Sequence, residues 1–130
     1  RQRAGAIERL SGKGRALPRK ARLSRREQFS AALAAGSAGA RRYFRLYVSR
    51  NGLPQARVGI IASRRVAPRA VDRNRMKRLV REVFRTMAER PAGMDIVVEV
   101  RRCPPRASGA AARTELSRLL EELAAAPRGD

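Results

Sequence analysis

Apolar residues along this chain change their spacing several times, and each spacing predicts a different element. Between Ser24 and Ala35, Phe29 and Leu33 stand four apart and share one face of a helix. Ser24 followed by Glu27 has the capping-box spacing, in which each side chain satisfies a free amide at the helix start, and Gly36 suits the stop. Ser37 to Ala40 holds only small residues and reads as a turn. Arg42 to Ser49 (RYFRLYVS) then alternates with period two: Phe44, Leu46 and Val48 form one face, Tyr43, Arg45 and Tyr47 the other. Asn51-Gly52 and Pro54 mark a turn before the next strand, Arg57 to Ser63 (RVGIIAS), so the two strands are expected to pair as an antiparallel hairpin.

A second helix is predicted from Asp72, a candidate N-cap, to Arg90, stopped by Pro91-Ala92-Gly93. At about 100° per residue, Met76, Leu79, Val80, Val83, Phe84 and Met87 fall on one side of it. A third strand follows at Asp95 to Arg101, with Ile96, Val98 and Val100 on its apolar side. The last helix, from Ala110 to Ala125, carries Leu116, Leu119, Leu120 and Leu123 as a stripe. The order α-β-β-α-β-α predicts one small α+β domain over residues 23–130. Residues 1–22 mix Gly, Pro and basic residues without periodicity and read as a mobile basic arm.

Composition narrows the chemistry. The chain has 130 residues with 31 Lys plus Arg, 11 Asp plus Glu, one cysteine and no histidine, for a formal net charge of +20. A Ser-His-Asp triad, a Cys-His dyad and a His-based zinc site are excluded, and one cysteine makes no intrachain disulfide. The charge is uneven: residues 1–22 carry +7, 23–63 carry +6, 64–90 carry +7 and 91–130 carry none. A polyanion is the partner such a balance fits, with the C-terminal part as scaffold. No apolar run approaches the roughly 20 residues of a membrane span, so a cytoplasmic chain with no membrane partner is expected.

The second helix concentrates this charge. Asn74, Lys77, Arg78, Arg81 and Arg85 gather opposite its apolar stripe, with Arg73 and Arg75 flanking. An ordinary solvated face intersperses acids at i,i+4, because like charges there repel. Lys77, Arg81 and Arg85 repeat at that spacing with no acid between them on the face, since Glu82 and Glu89 lie off to one side, which suits phosphate binding through guanidinium forks.

RVGIIASRR followed by RNRMKRLVREVFR resembles the protein component of bacterial ribonuclease P, and Arg73-Asn74-Arg75 with Lys77, Arg78 and Arg81 matches that family's RNR signature. The resemblance runs from about Arg22 to Ala125. It implies a mixed sheet with a left-handed βαβ crossover, where the general rule gives the right-handed form. It also implies that the RNR helix contacts a catalytic RNA, while a cleft between the first helix and the sheet holds the 5′ leader of precursor tRNA. On that basis Phe29 and Tyr47 line the cleft, with Arg45 and Arg64 near the leader phosphates. The alternation of Tyr43, Arg45 and Tyr47 fits such a role, since rings stack on any base and cations track the backbone. Leu33 stands where the family often has a second aromatic residue.

The function this implies is assistance to the catalytic RNA in endonucleolytic removal of the leader. Chemistry would come from RNA and bound Mg²⁺, with no catalytic protein side chain, no protein metal site and no small-molecule substrate. A structural RNA-binding protein, such as a ribosomal protein, explains the charge and fold but not the RNR spacing.

Overall fold

The computed structural model describes residues 21–23, 26–87 and 90–125. Four strands form one sheet in the order β1-β2-β4-β3. The elements are α1 (Arg26–Ala35), β1 (Ser37–Ala40), β2 (Phe44–Arg50), β3 (Arg57–Ile61), α2 (Ala70–Thr86), β4 (Met94–Val100) and α3 (Gly109–Ala125). The α+β class and the order of the main elements are as expected from the sequence. Ser24 of the capping box and residues 1–20 of the basic arm lie outside the described residues.

The hairpin expectation is corrected. Strands β2 and β3 do not pair with each other; β4 lies between them, antiparallel to β2 and parallel to β3. Burial explains the choice. Ile96, Val97 and Val98 are fully covered, so β4 is apolar towards both faces and belongs at the centre. Asn51 and Gly52 therefore open a wider loop than a hairpin turn. The Asn51 amide braces that loop, donating to the Gln55 carbonyl at 3.1 Å and to Asp95 Oδ1 at 2.9 Å. Parallel neighbours need a long crossover, and α2 supplies it between β3 and β4.

Ser37–Ala40 is an edge strand rather than a turn, pairing antiparallel with β2 across an irregularity between Ser37 and Gly39. Its small residues have a packing reason: a Cβ on Gly39 would stand 3.3 Å from Leu119 of α3. The opposite edge is partly covered too. Arg22 bridges Val58 in parallel, and Leu23 N–H donates to the Val58 carbonyl at 2.8 Å, so the ordered domain takes in residues 21–23 of the expected arm and boundary.

The sheet divides the core in two. One face packs Phe44, Leu46, Val58, Ile96 and Val98 against α2 and α3, which contribute Met76, Val80, Phe84, Leu116 and Leu120. The other face meets α1 in a smaller cluster of Leu23, Ala32 and Val97, with Phe29, Tyr47 and Ile61 at its margin.

Helix α2 is displaced from its expected bounds at both ends. It begins at Ala70, with Arg69 as a cap that makes no side-chain capping bond, so Asp72 is a first-turn residue and not the N-cap. There its carboxylate pairs with Arg69 at 3.1 Å and Arg75 at 3.4 Å. The hydrogen bond from Arg69 holds the Asp72 carboxyl below the usual carboxylate range. At the other end the helix stops at Thr86, and Arg90 folds back to cap it. Its guanidinium donates to the carbonyls of Phe84 and Arg85, both at 3.0 Å, as a cation at a helix C-terminus should.

A candidate RNA-binding site on two faces

Alternation along β2 sends Arg45 and Tyr47 to the α1 side of the sheet, as the period-two pattern requires. Three cross-strand rows make the floor there. Ser49, Asp95 and Arg57 form one, Tyr47, Val97 and Gly59 the next, and Arg45, Glu99 and Ile61 the third. The first row is closed by an ion pair. Arg57 grips Asp95 with two bonds of 2.8 Å, and Asp95 is only 4% exposed. Past Ile61 of the third row, Arg64 and Arg65 are exposed in the turn that follows β3.

Phe29 reaches this floor from α1 across the middle row, and Gly59 makes room for it. A Cβ at Gly59 would stand 2.6 Å from Phe29 Cζ and 3.0 Å from Leu23 Cβ, so any side chain there would push the ring away. Glycine inside a strand often marks such a close approach, a signal that was present in RVGII. Tyr47 is half-buried beside the same cluster, and its hydroxyl donates to Glu99 Oε1 at 3.0 Å. The neighbouring Tyr47 hydroxyl, and after it the Glu99 charge, hold the Arg45 guanidinium above its ordinary value, while its Nε is buried without a hydrogen-bond partner. Leu33 on α1 is exposed, an apolar contact without a ring. Phe29, Tyr47 and Arg45 thus share one side of the sheet, and Arg64 stands exposed in the turn beyond β3.

Tyr43 does not join them, and its assignment to the cleft is corrected. Strand β2 begins only at Phe44, and Tyr43 turns into the main core with 7% exposure. Its N–H donates to Glu115 Oε2 at 2.7 Å, and the same oxygen takes the Phe44 N–H at 3.0 Å. That pair of bonds anchors the start of β2 to α3.

On the far side of the sheet, α2 turns its polar stripe outward. Asn74 and Arg78 are exposed one turn apart, with Lys77, Arg81 and Arg85 partly exposed around them. Asn74, Lys77 and Arg78 have no partner among the described residues, and Arg81 Nε is buried without one. The flanking arginines have internal duties. Arg73 donates to the carbonyls of Ala67 and Pro68, both at 2.9 Å, which holds the loop entering the helix. Arg75 reaches the Pro104 carbonyl at 2.9 Å and its side chain is 17% exposed. These three bonds tie α2 to the loop that enters it and to the loop at Pro104.

Lys77 and Arg78, without partners among the described residues, thus stand on α2 on the face of the sheet opposite the one that carries Phe29, Tyr47 and Arg45. Among the described residues no group of three or more His, Cys, Asp or Glu is placed to hold a metal ion, and no helix is long and apolar enough to cross a membrane.

A sequence profile of the family described as Ribonuclease P matches residues 17–124. The chain belongs to that family. The ribonuclease P protein component of Chromobacterium violaceum is 37% identical over 103 residues, 79% of this chain and 85% of the relative. That of Xylella fastidiosa is 38% identical over 113 residues, 85% of this chain and 81% of the relative. The fold agrees. The ribonuclease P protein of Thermotoga maritima superposes with a TM-score of 0.63 at 31% identity, covering 78% of this chain and 96% of that one. The Staphylococcus aureus protein gives 0.61 at 26% identity, covering 79% and 91%. Ribonuclease P is a ribonucleoprotein endoribonuclease, and this family supplies its protein subunit, which partners the catalytic RNA and binds precursor tRNA.

Proposed function

We propose that the two faces of the sheet take two different RNAs during removal of the 5′ leader from precursor tRNA. The outward stripe of α2, carried by Asn74, Lys77, Arg78, Arg81 and Arg85 and bordered by Arg73 and Arg75, binds the catalytic RNA. The cleft between α1 and the sheet binds the single-stranded leader, with Phe29 and Tyr47 stacking on bases and Arg45 and Arg64 following phosphates. The observation that carries this reading is the unlikeness of the two surfaces. One offers cations without rings, suited to a folded RNA backbone; the other pairs rings with cations, suited to unstacked bases.

Within this division the protein supplies affinity and discrimination. Its cations screen repulsion between the two RNAs, and a grip on the leader favours precursor over mature tRNA. The carboxylates near these surfaces do not fit a protein-held metal, since Asp72, Asp95 and Glu99 are engaged by Arg69, Arg57 and Tyr47. In this reading Mg²⁺ is held by the RNA. The place of action is the bacterial cytoplasm.

A reconstitution tests the role. Purified protein is mixed with precursor tRNA at low Mg²⁺, with and without the cognate catalytic RNA. The expected result is no cleavage by protein alone and strong stimulation of the RNA by protein. Cleavage by protein alone, or no stimulation, contradicts it.

A further inference from the structure

A carboxylate inside a cleft that takes phosphates needs a physical reason, because like charges repel there. Glu99 is in that position. It lies on β4 directly opposite Arg45, on the α1 side of the sheet, two residues along from the Val97 that faces Tyr47. Asp95 and Glu115 have evident structural work, the first with Arg57 and the second with the start of β2. Glu99 instead accepts the Tyr47 hydroxyl at 3.0 Å, across a diagonal that long side chains span in an antiparallel pair.

That contact acts on the ring. Tyr47 sits at the margin of the smaller core cluster, packed only partly, so its ring angle is not set by burial alone. A bond at the phenol tip restrains the ring before any base arrives, and ordering a side chain in advance removes a cost from binding. The adjacent Arg45 offsets the negative charge, which leaves the cleft cationic overall.

We infer that Glu99 is a positioning residue of the leader cleft: its carboxylate anchors the Tyr47 hydroxyl and so holds the ring ready to stack on a leader base. The inference rests on the leader-binding reading above. It predicts that the acceptor oxygen matters and the charge does not, because a glutamine keeps the acceptor and even removes a repulsion.

The test uses holoenzyme reconstituted with the catalytic RNA and compares affinity for precursor and mature tRNA. Glu99→Leu and Tyr47→Phe are each expected to lower the precursor-over-mature ratio about fivefold, the scale of one hydrogen bond. The double variant should be no worse than either single one, since both cut the same bond. Glu99→Gln should keep the ratio within about twofold of the parent. Affinity for the catalytic RNA should not change in any of them. An unchanged ratio in Glu99→Leu, a loss in Glu99→Gln as large as in Glu99→Leu, or full additivity in the double variant would overturn the inference. Thermal melting identifies a leucine that disturbs the fold, in which case Tyr47→Phe tests the same bond from its other end. Tyr47→Ala separates the two levels. If it leaves the ratio intact, the cleft reading itself fails; if it lowers the ratio while Glu99→Leu does not, only the role of Glu99 fails.

Discussion

Combined replacement of Arg78 and Arg81 by alanine is expected to weaken binding to the catalytic RNA by roughly 10²-fold or more, since hydrogen bonds to charged groups contribute about 1.5–3 kcal/mol each. The loss should also change its salt dependence. Each phosphate contact contributes about 0.7–0.9 to the slope of log K against log salt, so losing both should flatten it by roughly 1.5. Arg78 is exposed and without a partner among the described residues, so little of the loss should come from misfolding. Once enough RNA is present to saturate the variant, preference for precursor over mature tRNA should return to the parent value. Filter binding across a salt series measures both quantities. An unchanged slope would remove α2 from the RNA contact.

Asp95→Ala should produce the largest effect on stability. The substitution strands the Arg57 guanidinium, whose side chain is 20% exposed, without its bidentate partner, and it frees the Asn51 amide that braces the β2–β3 loop. Breaking a buried pair at one end costs about 3–5 kcal/mol, a large part of the roughly 5–15 kcal/mol that holds a domain together. A drop in melting temperature on the order of 10–20 °C follows for a chain of this size. Removing Arg57 as well should recover part of the loss, because no uncompensated charge then remains buried. Glu121→Ala, an exposed carboxylate on α3, is the control and should stay within about 0.5 kcal/mol. Equal effects from Asp95→Ala and Glu121→Ala would show that the pair does not hold the sheet.

Local periodicity made the helices and the faces of β2 legible. The α2 stripe of Met76, Leu79, Val80, Val83 and Phe84 is buried as its spacing requires, and the cations on its other side point outward. Pairing was another matter. An Asn-Gly step beside two strands suggests a hairpin, yet the partner of each strand was fixed by β4, which lies more than thirty residues further on. The available signal was Val97: an apolar residue that breaks the alternation of MDIVVEV marks a strand covered on both faces. Ser37–Ala40 carried no pattern because small residues have no face to show. Tyr43 leaves the expected face because β2 begins at Phe44, two residues after the start of the alternating run at Arg42. The internal bonds of Arg73 and Arg75 depend on loops whose positions only the folded chain determines.

The early charge count said only that the partner is a polyanion. The fold puts the Phe29–Tyr47 cleft and the cationic stripe of α2 on opposite faces of the sheet, and the proposal gives the leader to the first and the catalytic RNA to the second. Phe29→Ala tests that division most directly, because Phe29 lies in the proposed leader cleft, on the face of the sheet away from α2. The measurement is the ratio of precursor to mature tRNA affinity in the reconstituted holoenzyme, with catalytic-RNA affinity read alongside. Base stacking on an aromatic ring contributes about 1–3 kcal/mol, so the ratio should fall roughly 5- to 100-fold while binding to the catalytic RNA stays at the parent value. Equal loss of affinity for precursor and mature tRNA, with the ratio unchanged, would contradict the account.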